Sequence, residues 1–403
     1  MPDRRATYTL TVLTFINLFN YVDRFLLPAV LEPIKHDFRL TDTQLGLLNF
    51  GFLIVYTLTS PIFGTLGDKQ KRPPLIAIGV ALWSVATALA GFARGFASLF
   101  TARSTVGVGE AAYGTIAPAL LSDQFPYEKR GRVMAVFFAA IPIGSAAGYI
   151  LGGLADRAFG WRAAFWIAGF PGILLSLLIL FVHDPPRGQH DAPAERTSGN
   201  TYLSFFRNTH YMLIVFGYAA YTFALGGLAY WMPAFLERVR GMPRIDATAT
   251  FGGIVVATGF AGTFIGGWLG DRLLKRTKYS YVWVSGVATL VAAPITYFAL
   301  SSAVKPLYLT MLIIAEVLIF MCTGPVNVAI LNAVSPVERA AAMGLSVLLM
   351  HLFGDIPSPL LIGFLSDRSS LERAVLIVPV AVLVSGLIWI YAAWRGERTT
   401  PEA

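Results

Sequence analysis

Apolar runs long enough to cross a bilayer recur twelve times along this chain, separated by short polar punctuation. They are Thr7–Val30, Thr43–Leu66, Pro74–Phe92, Phe96–Leu121, Val133–Ala155, Ala163–Val182, Tyr211–Leu236, Ala249–Leu274, Tyr281–Leu300, Pro306–Ala333, Ala341–Leu365 and Ala374–Trp394. A run of this length reads as a membrane-spanning helix. Composition agrees: 13% of residues are charged and mean hydropathy is +0.64. A soluble protein carries about twice that share of charge, so the surface of this chain faces lipid. The expected fold class is an all-α membrane protein, a polytopic bundle and not a globular domain with an anchor. The short stretch Met1–Thr7 and the long apolar run after it are not expected to form a cleavable leader.

The run Phe96–Leu121 carries two charges, Arg103 and Glu110, seven residues apart. Two helical turns place them on one face, roughly 10 Å from each other along the axis. An ionisable side chain at membrane depth faces the protein interior or a watery cavity, and function is its default reading. Asp23 and Arg24 lie two-thirds along the first run. Neighbouring helix positions point about 100° apart, so one is expected to face a cavity and the other a neighbouring helix. Two acids and two bases can exchange partners, as proton coupling requires. A carboxylate beside a guanidinium stays ionised, and in a dry site without one it takes a proton. Arginine stays charged and can only move or change partner. Glu110 is the expected proton carrier, with Asp23 second. The plainer reading is a fixed tetrad that holds spans one and four together.

Pro185-Pro186, then Gly188 and a polar run to Asn200, form the one linker-like stretch. It divides the chain into an expected amino-terminal six-helix bundle (1–182), a linker (183–207) with a mobile run at Gln189–Asn200, and a carboxy-terminal six-helix bundle (208–403). The halves echo each other. Gly64-Thr65-Leu66-Gly67-Asp68-Lys69 ends span two, and Gly267-Trp268-Leu269-Gly270-Asp271-Arg272 ends span eight. Pro126-Tyr127-Glu128-Lys129 matches Pro336-Val337-Glu338-Arg339, and Asp156-Arg157 matches Asp367-Arg368. Such a duplication predicts a pseudo-symmetric pair of bundles with a site at their interface. Alternate loops share Lys and Arg unevenly, 18 on the side of the termini against 11 on the other. That excess predicts cytoplasmic termini. In a membrane protein this placement, and not the net charge of +8, is the informative quantity, so nucleic acid is not an expected partner.

Twelve spans in two halves, with Gly64, Asp68, Lys69 and Arg72 in the loop after span two, resemble the major facilitator superfamily. Lys71 stands where that family often has a second glycine, and Gly160-Trp161-Arg162 is similar to a further superfamily feature. A finer resemblance is to the spinster family of lipid transporters. It rests on Asn20-Tyr21-Val22-Asp23-Arg24, Gly107-Val108-Gly109-Glu110-Ala111, Asp184-Pro185-Pro186-Arg187-Gly188, Gly227 to Pro233, and Gly354-Asp355-Ile356-Pro357-Ser358-Pro359. The resemblance implies a major facilitator fold of twelve transmembrane helices. It also implies export or efflux of lysolipid or sphingoid-type amphiphiles, driven by protons with no other cofactor. Asp68, Lys69 and Arg72, with Asp271 and Arg272, would then latch a gate; the plainer reading of the basic residues is a topology signal.

His351 and Asp355 share a helical face. Two ligands make no metal site, so a proton relay or a substrate contact is the functional reading and a buried structural histidine the plain one. Pro357 and Pro359 are expected to break the helix there and free carbonyls. Tyr218, Tyr221, Phe223, Tyr230 and Trp231 in span seven read as packing or as a wall for an acyl chain, with Gly226-Gly227 as a flex point. Arg24, Arg103, Tyr221, Tyr230, Trp231, Asn327, His351 and Asp355 make up the expected substrate contacts. Gly144, Gly148, Gly152 and Gly153 predict close helix approach in span five. Glu316 has no partner legible in the sequence, and Cys322 reads as a small buried hydrophobe.

No soluble-enzyme motif survives its context. Gly107-Val108-Gly109 has no strand before it, and neither a P-loop nor His-Glu-x-x-His is present. The chain is expected to act as a monomer in a bacterial inner membrane, in contact with membrane lipids and a lipid-like substrate. Two rival readings are a lipid sensor or scaffold without flux and a multidrug or sugar-like carrier of the same fold. The sugar option is disfavoured by the few span amides, Asn17, Asn20, Asn49 and Asn327.

Overall fold

The computed structural model describes residues 4–187, 201–335 and 338–399. The expected mobile run Gln189–Asn200, the Pro336-Val337 half of one repeat match and the side chains of Tyr127 and Glu128 lie outside the described residues. Within them the chain is helical and without strands: α1 Arg4–Ala29, α2 Leu31–Phe38, α3 Asp42–Lys69, α4 Arg72–Ala90, α5 Phe96–Gln124, α6 Tyr127–Phe159, α7 Trp161–Leu178, α8 Thr201–Arg207, α9 Thr209–Arg238, α10 Arg244–Leu273, α11 Ser280–Ser301, α12 Lys305–Phe320, α13 Thr323–Asn332, α14 Arg339–Met350, α15 Pro357–Arg368, α16 Leu371–Ala374 and α17 Ile377–Thr399.

Eleven helices or joined helices are long and apolar enough to span a membrane. The remaining expected span is α5, whose buried Arg103 and Glu110 lower its hydropathy while leaving its length of 29 residues intact. The twelvefold pattern of the sequence is therefore a pattern of helices, one of which trades apolarity for charge.

Local sequence explains the helix ends. Thr41 caps α3 through a capping box: its hydroxyl accepts from the Gln44 backbone N–H at 3.2 Å, and Gln44 Oε1 accepts from the Thr41 N–H at 2.9 Å. Gly160 turns the chain from α6 into α7 at φ +83°, where a side chain would be strained. At the α3–α4 turn Gln70 and Lys71 are both extended, with φ of −119° and −62°. Lysine thus fits where the superfamily often has glycine.

The described residues form two compact units. One holds residues 4–187 together with Leu236–Gly253; the other holds 201–235 and 254–399. Two helices, α9 and α10, therefore contribute residues to both.

In the first unit α3 and α4 pack on α5, α1 packs on α6 and α7, and α4 packs on α7. The glycines of Gly107-Val108-Gly109 make the contacts to α3 and α4 possible. A Cβ on Gly107 would stand 2.4 Å from the Phe52 carbonyl oxygen, and one on Gly109 2.4 Å from that of Gly79. The stripe Gly144, Gly148 and Gly152 does the same for α6 on α1; a Cβ at either of the first two would come within 2.6 Å of a carbonyl oxygen, that of Leu18 or Val22.

In the second unit α11 packs on α12, α13 and α17. Helix α17 is tied to α9 by Trp389, whose indole donates to the Ile214 carbonyl at 3.0 Å, and by Ser385, which donates to Gly217 at 2.8 Å. The proline pair in span eleven does not break the helix as expected. Between α14 and α15 the backbone widens into one π-helical turn, His351–Asp355, closed by a bond from the Ile356 N–H to the His351 carbonyl at 3.2 Å. Pro357 then sits in the first turn of α15, where a missing N–H costs nothing.

Candidate functional site: a reciprocal charge pair between two helices

The four charged residues singled out in spans one and four come together inside the first unit. Arg24 of α1 donates to Glu110 of α5 at 2.6 Å, and Arg103 of α5 donates to Asp23 of α1 at 2.9 Å. Each helix supplies one acid and one base to the other. Asp23 faces inward, with its second oxygen accepting from the Thr87 hydroxyl of α4 at 2.6 Å. Arg24 is the accessible member: its side chain keeps 19% exposure while Glu110 has 0%. Of the adjacent pair expected to divide between a cavity and a neighbouring helix, both members bond to α5, and Arg24 is the more exposed.

The Arg24 guanidinium lies over three aromatic rings, Tyr21 at 5.3 Å, Phe52 at 5.3 Å and Tyr56 at 4.9 Å. Arg103 lies over Phe52 from 5.4 Å. These faces attract a cation without neutralising it. Glu110 is a different case. Its Oε2 is held by Arg24, but Oε1 has no hydrogen-bond partner among the described residues, and neither has Arg103 Nε nor Asn20 Nδ2. Buried polar groups are normally satisfied. The unmet capacity of Glu110, Arg103 and Asn20 lies on the two helices that carry the charges.

In the second unit His351 Nδ1 stands 2.8 Å and 3.0 Å from the two Asp355 oxygens, on the π-helical turn, with both side chains partly exposed. Turns of this kind recur at functional sites. Tyr221 is buried and shares a hydrogen bond with Thr323 at 3.2 Å. Trp231 is buried too and donates to the Pro359 carbonyl at 2.9 Å; Tyr230 packs edge-on against it. Asn327 donates to the Thr323 carbonyl at 2.7 Å within its own helix.

The expected gate residues divide. Asp68 and Lys69 are exposed at the end of α3, whereas Arg72 is buried. Arg72 donates to Asp123 at 2.5 Å, to Asp184 at 2.7 Å and to the Pro185 carbonyl at 2.7 Å, so it fastens the first turn of α4 to α5 and to the start of the linker. Gly64, Asp68, Arg72, Asp123 and Arg187 line one cavity of about 330 Å³. Gly64 and Gly267 match in one respect: a Cβ on either would meet nothing within 4 Å. Asp271 accepts from the Tyr281 hydroxyl at 2.7 Å, and Arg272 lies over the Trp268 ring.

The Major Facilitator Superfamily model matches residues 13–356. Protein spinster of Drosophila melanogaster is 34% identical over 390 residues, covering 90% of this chain and 62% of that protein. The Xenopus tropicalis protein spinster homolog 1 is 32% identical over 435 residues, covering 99% and 83%. The chain belongs to the spinster family of the major facilitator superfamily. A crystal structure of a bacterial homolog to the human lysosomal transporter spinster, inward-facing and unoccupied, covers both chains fully with a TM-score of 0.88 at 23% identity; that likeness concerns the fold. The chain spans about three-fifths of the Drosophila protein. It is a transporter of the major facilitator type and not an enzyme.

One cluster of this spinster protein was not legible beforehand. Arg238, at the end of α9, donates to Glu32 at 2.5 Å and to Asp42 at 2.6 Å, and Lys35 joins Asp42 at 2.5 Å. Glu32 and Asp42 are almost fully buried. Arg244, opening α10, pairs with Asp156 and with Glu237. The residues involved are far apart in sequence and look like ordinary loop charges.

Proposed function

We propose that this chain is a proton-coupled carrier for amphiphiles with an anionic headgroup, of the lysolipid or sphingoid type, and that Glu110 carries the proton. The supporting observation is the Arg24–Glu110 pair, with one carboxylate oxygen unpartnered and the guanidinium partly exposed. Protonation of Glu110 removes the charge that holds Arg24, and the freed guanidinium then takes a phosphate-like group. Loss of the proton restores the ion pair and displaces the ligand. Proton and anion therefore bind together, and substrate affinity rises as pH falls. Asp23, held by both Arg103 and Thr87, fixes α1 against α5 and α4.

The test is uptake in proteoliposomes with an imposed pH gradient, alongside binding measured over pH. Glu110→Gln imitates the protonated acid. It is expected to bind substrate at every pH and to lose the share of gradient-driven accumulation that this proton supplies. Accumulation by Glu110→Gln equal to that of the unaltered protein would sink the assignment, and binding without any flux in the unaltered protein would favour a sensor. Competition by lysolipid but not by sugars separates the lipid reading from other carriers of this fold. We further place the chain in a bacterial inner membrane as a monomer with cytoplasmic termini, which cysteine labelling from each side tests.

A further inference from the structure

Glu316 of α12 has no part in the charge arrangement of the first unit. It is 1% exposed, its Oε2 has no hydrogen-bond partner among the described residues, and no described cation pairs with it. Its surroundings offer no charge to offset its own. Helix α11, packed alongside, has no charged residue between Ser280 and Ser301, and α10 has none between Asp246 and Asp271. Helix α10 approaches this stretch closely: a Cβ on Gly262 would stand 2.5 Å from the Val317 carbonyl oxygen. From α9 the facing titratable group is Tyr221, which also neighbours Cys322 at the junction of α12 and α13. Helix α13 carries no titratable side chain, and α17 none that is charged from Ile377 to Trp394. An ionised carboxyl in such a place has neither cation nor donor to replace lost water, and the neutral acid avoids that cost.

A string of polar groups leads from Glu316 toward the surface of the second unit. Tyr221 hydrogen-bonds Thr323 at 3.2 Å, and its ring centre lies 6.0 Å from that of Tyr218. Tyr218 neighbours both Asn327 and Asp355. Asp355 is 25% exposed and bound to His351. We propose that Glu316 is a second proton-binding carboxyl of the carrier, loaded and emptied through Tyr221, Tyr218 and the His351–Asp355 pair. The second unit then holds a proton site of its own. Its place in a transport cycle rests on the proton-coupled reading above; the proton on Glu316 does not.

Two measurements on the full chain test this. The first is infrared spectroscopy of purified protein in lipid nanodiscs, titrated over pH. The unaltered protein is expected to show a carboxylic-acid carbonyl band that titrates and is missing in Glu316→Gln, an isosteric stand-in for the neutral acid. Glu316→Asp should return a displaced band. Identical spectra for the unaltered protein and Glu316→Gln, or a band that never titrates, overturn the proposal. The second is the accumulation ratio in proteoliposomes with the membrane potential clamped at zero. Glu316→Gln should reduce it to its square root, as one proton replaces two. If Glu110→Gln lowers the ratio while Glu316→Gln leaves it unchanged, the second proton is refuted and the first stands. If the unaltered protein ignores the gradient, the coupled reading fails, and the infrared band alone decides whether Glu316 binds a proton.

Discussion

Asp23 shows how little slack a buried charge has. It is the ion-pair partner of Arg103, and both side chains are 2% exposed. Removing one member of such a pair leaves the other uncompensated. Asp23→Asn is therefore expected to destabilise the protein by about 3–5 kcal/mol, read as a large fall in melting temperature in detergent. Thr87→Val removes only the hydroxyl on the second Asp23 oxygen, with an expected cost of about 1–3 kcal/mol. An Asp23→Asn protein that melts like the unaltered one would show that Arg103 has another partner. The identities of the four charged residues were legible in the sequence because charges at membrane depth have few explanations. Their pairing was not: the spacing of Arg103 and Glu110 says that they share a face of α5, yet each bonds across to α1. Thr87 gave no signal, since a threonine in an apolar run is commonplace.

At the scale of helices, two glycines make opposite predictions. Gly109 brings α4 against α5 with backbone as its nearest neighbour. Gly109→Leu is expected to cost at least the 1–3 kcal/mol typical of overpacking and to yield little monodisperse protein on size-exclusion chromatography. Gly64→Ala meets open space inside α3, so its stability should change by no more than the roughly 0.5–1 kcal/mol that alanine gains over glycine in a helix, read as an unchanged or slightly raised melting temperature. A transport defect in Gly64→Ala without a stability change would mark its bare face as a working surface, and Gly267→Ala gives the parallel test. The sequence showed these glycines as motif and repeat but did not distinguish the packed from the open. That difference lies in what each one meets across the bundle. The proline pair after Asp355 likewise announced an irregularity in span eleven without revealing its form. A π-helical turn depends on a shift of hydrogen-bond partners, which no residue type encodes alone.

For the whole molecule, the apolar runs made the helices legible, and the linker and repeats raised the expectation of two halves. The linker's own course lies mostly outside the described residues. What the repeats do not display is that Leu236–Gly253, from the carboxy-terminal half, belongs to the compact unit of the amino-terminal half. Arg238 and Arg244 secure that stretch by ion pairs with Glu32, Asp42 and Asp156. Arg238→Ala is expected to raise amide hydrogen exchange across Leu236–Gly253 many-fold while the α1–α5 region keeps its protection. Unchanged exchange there would mean that Thr248 against Gly153 and Phe251 against Tyr149 suffice. The unit boundaries after Phe235 and after Gly253 fall inside α9 and α10, so neither helix belongs wholly to one unit. Pro233, which lacks an amide hydrogen, lies just before one boundary, and the Gly252-Gly253 pair abuts the other. Each helix thus carries its least helix-favouring residues beside the point where its packing partners change.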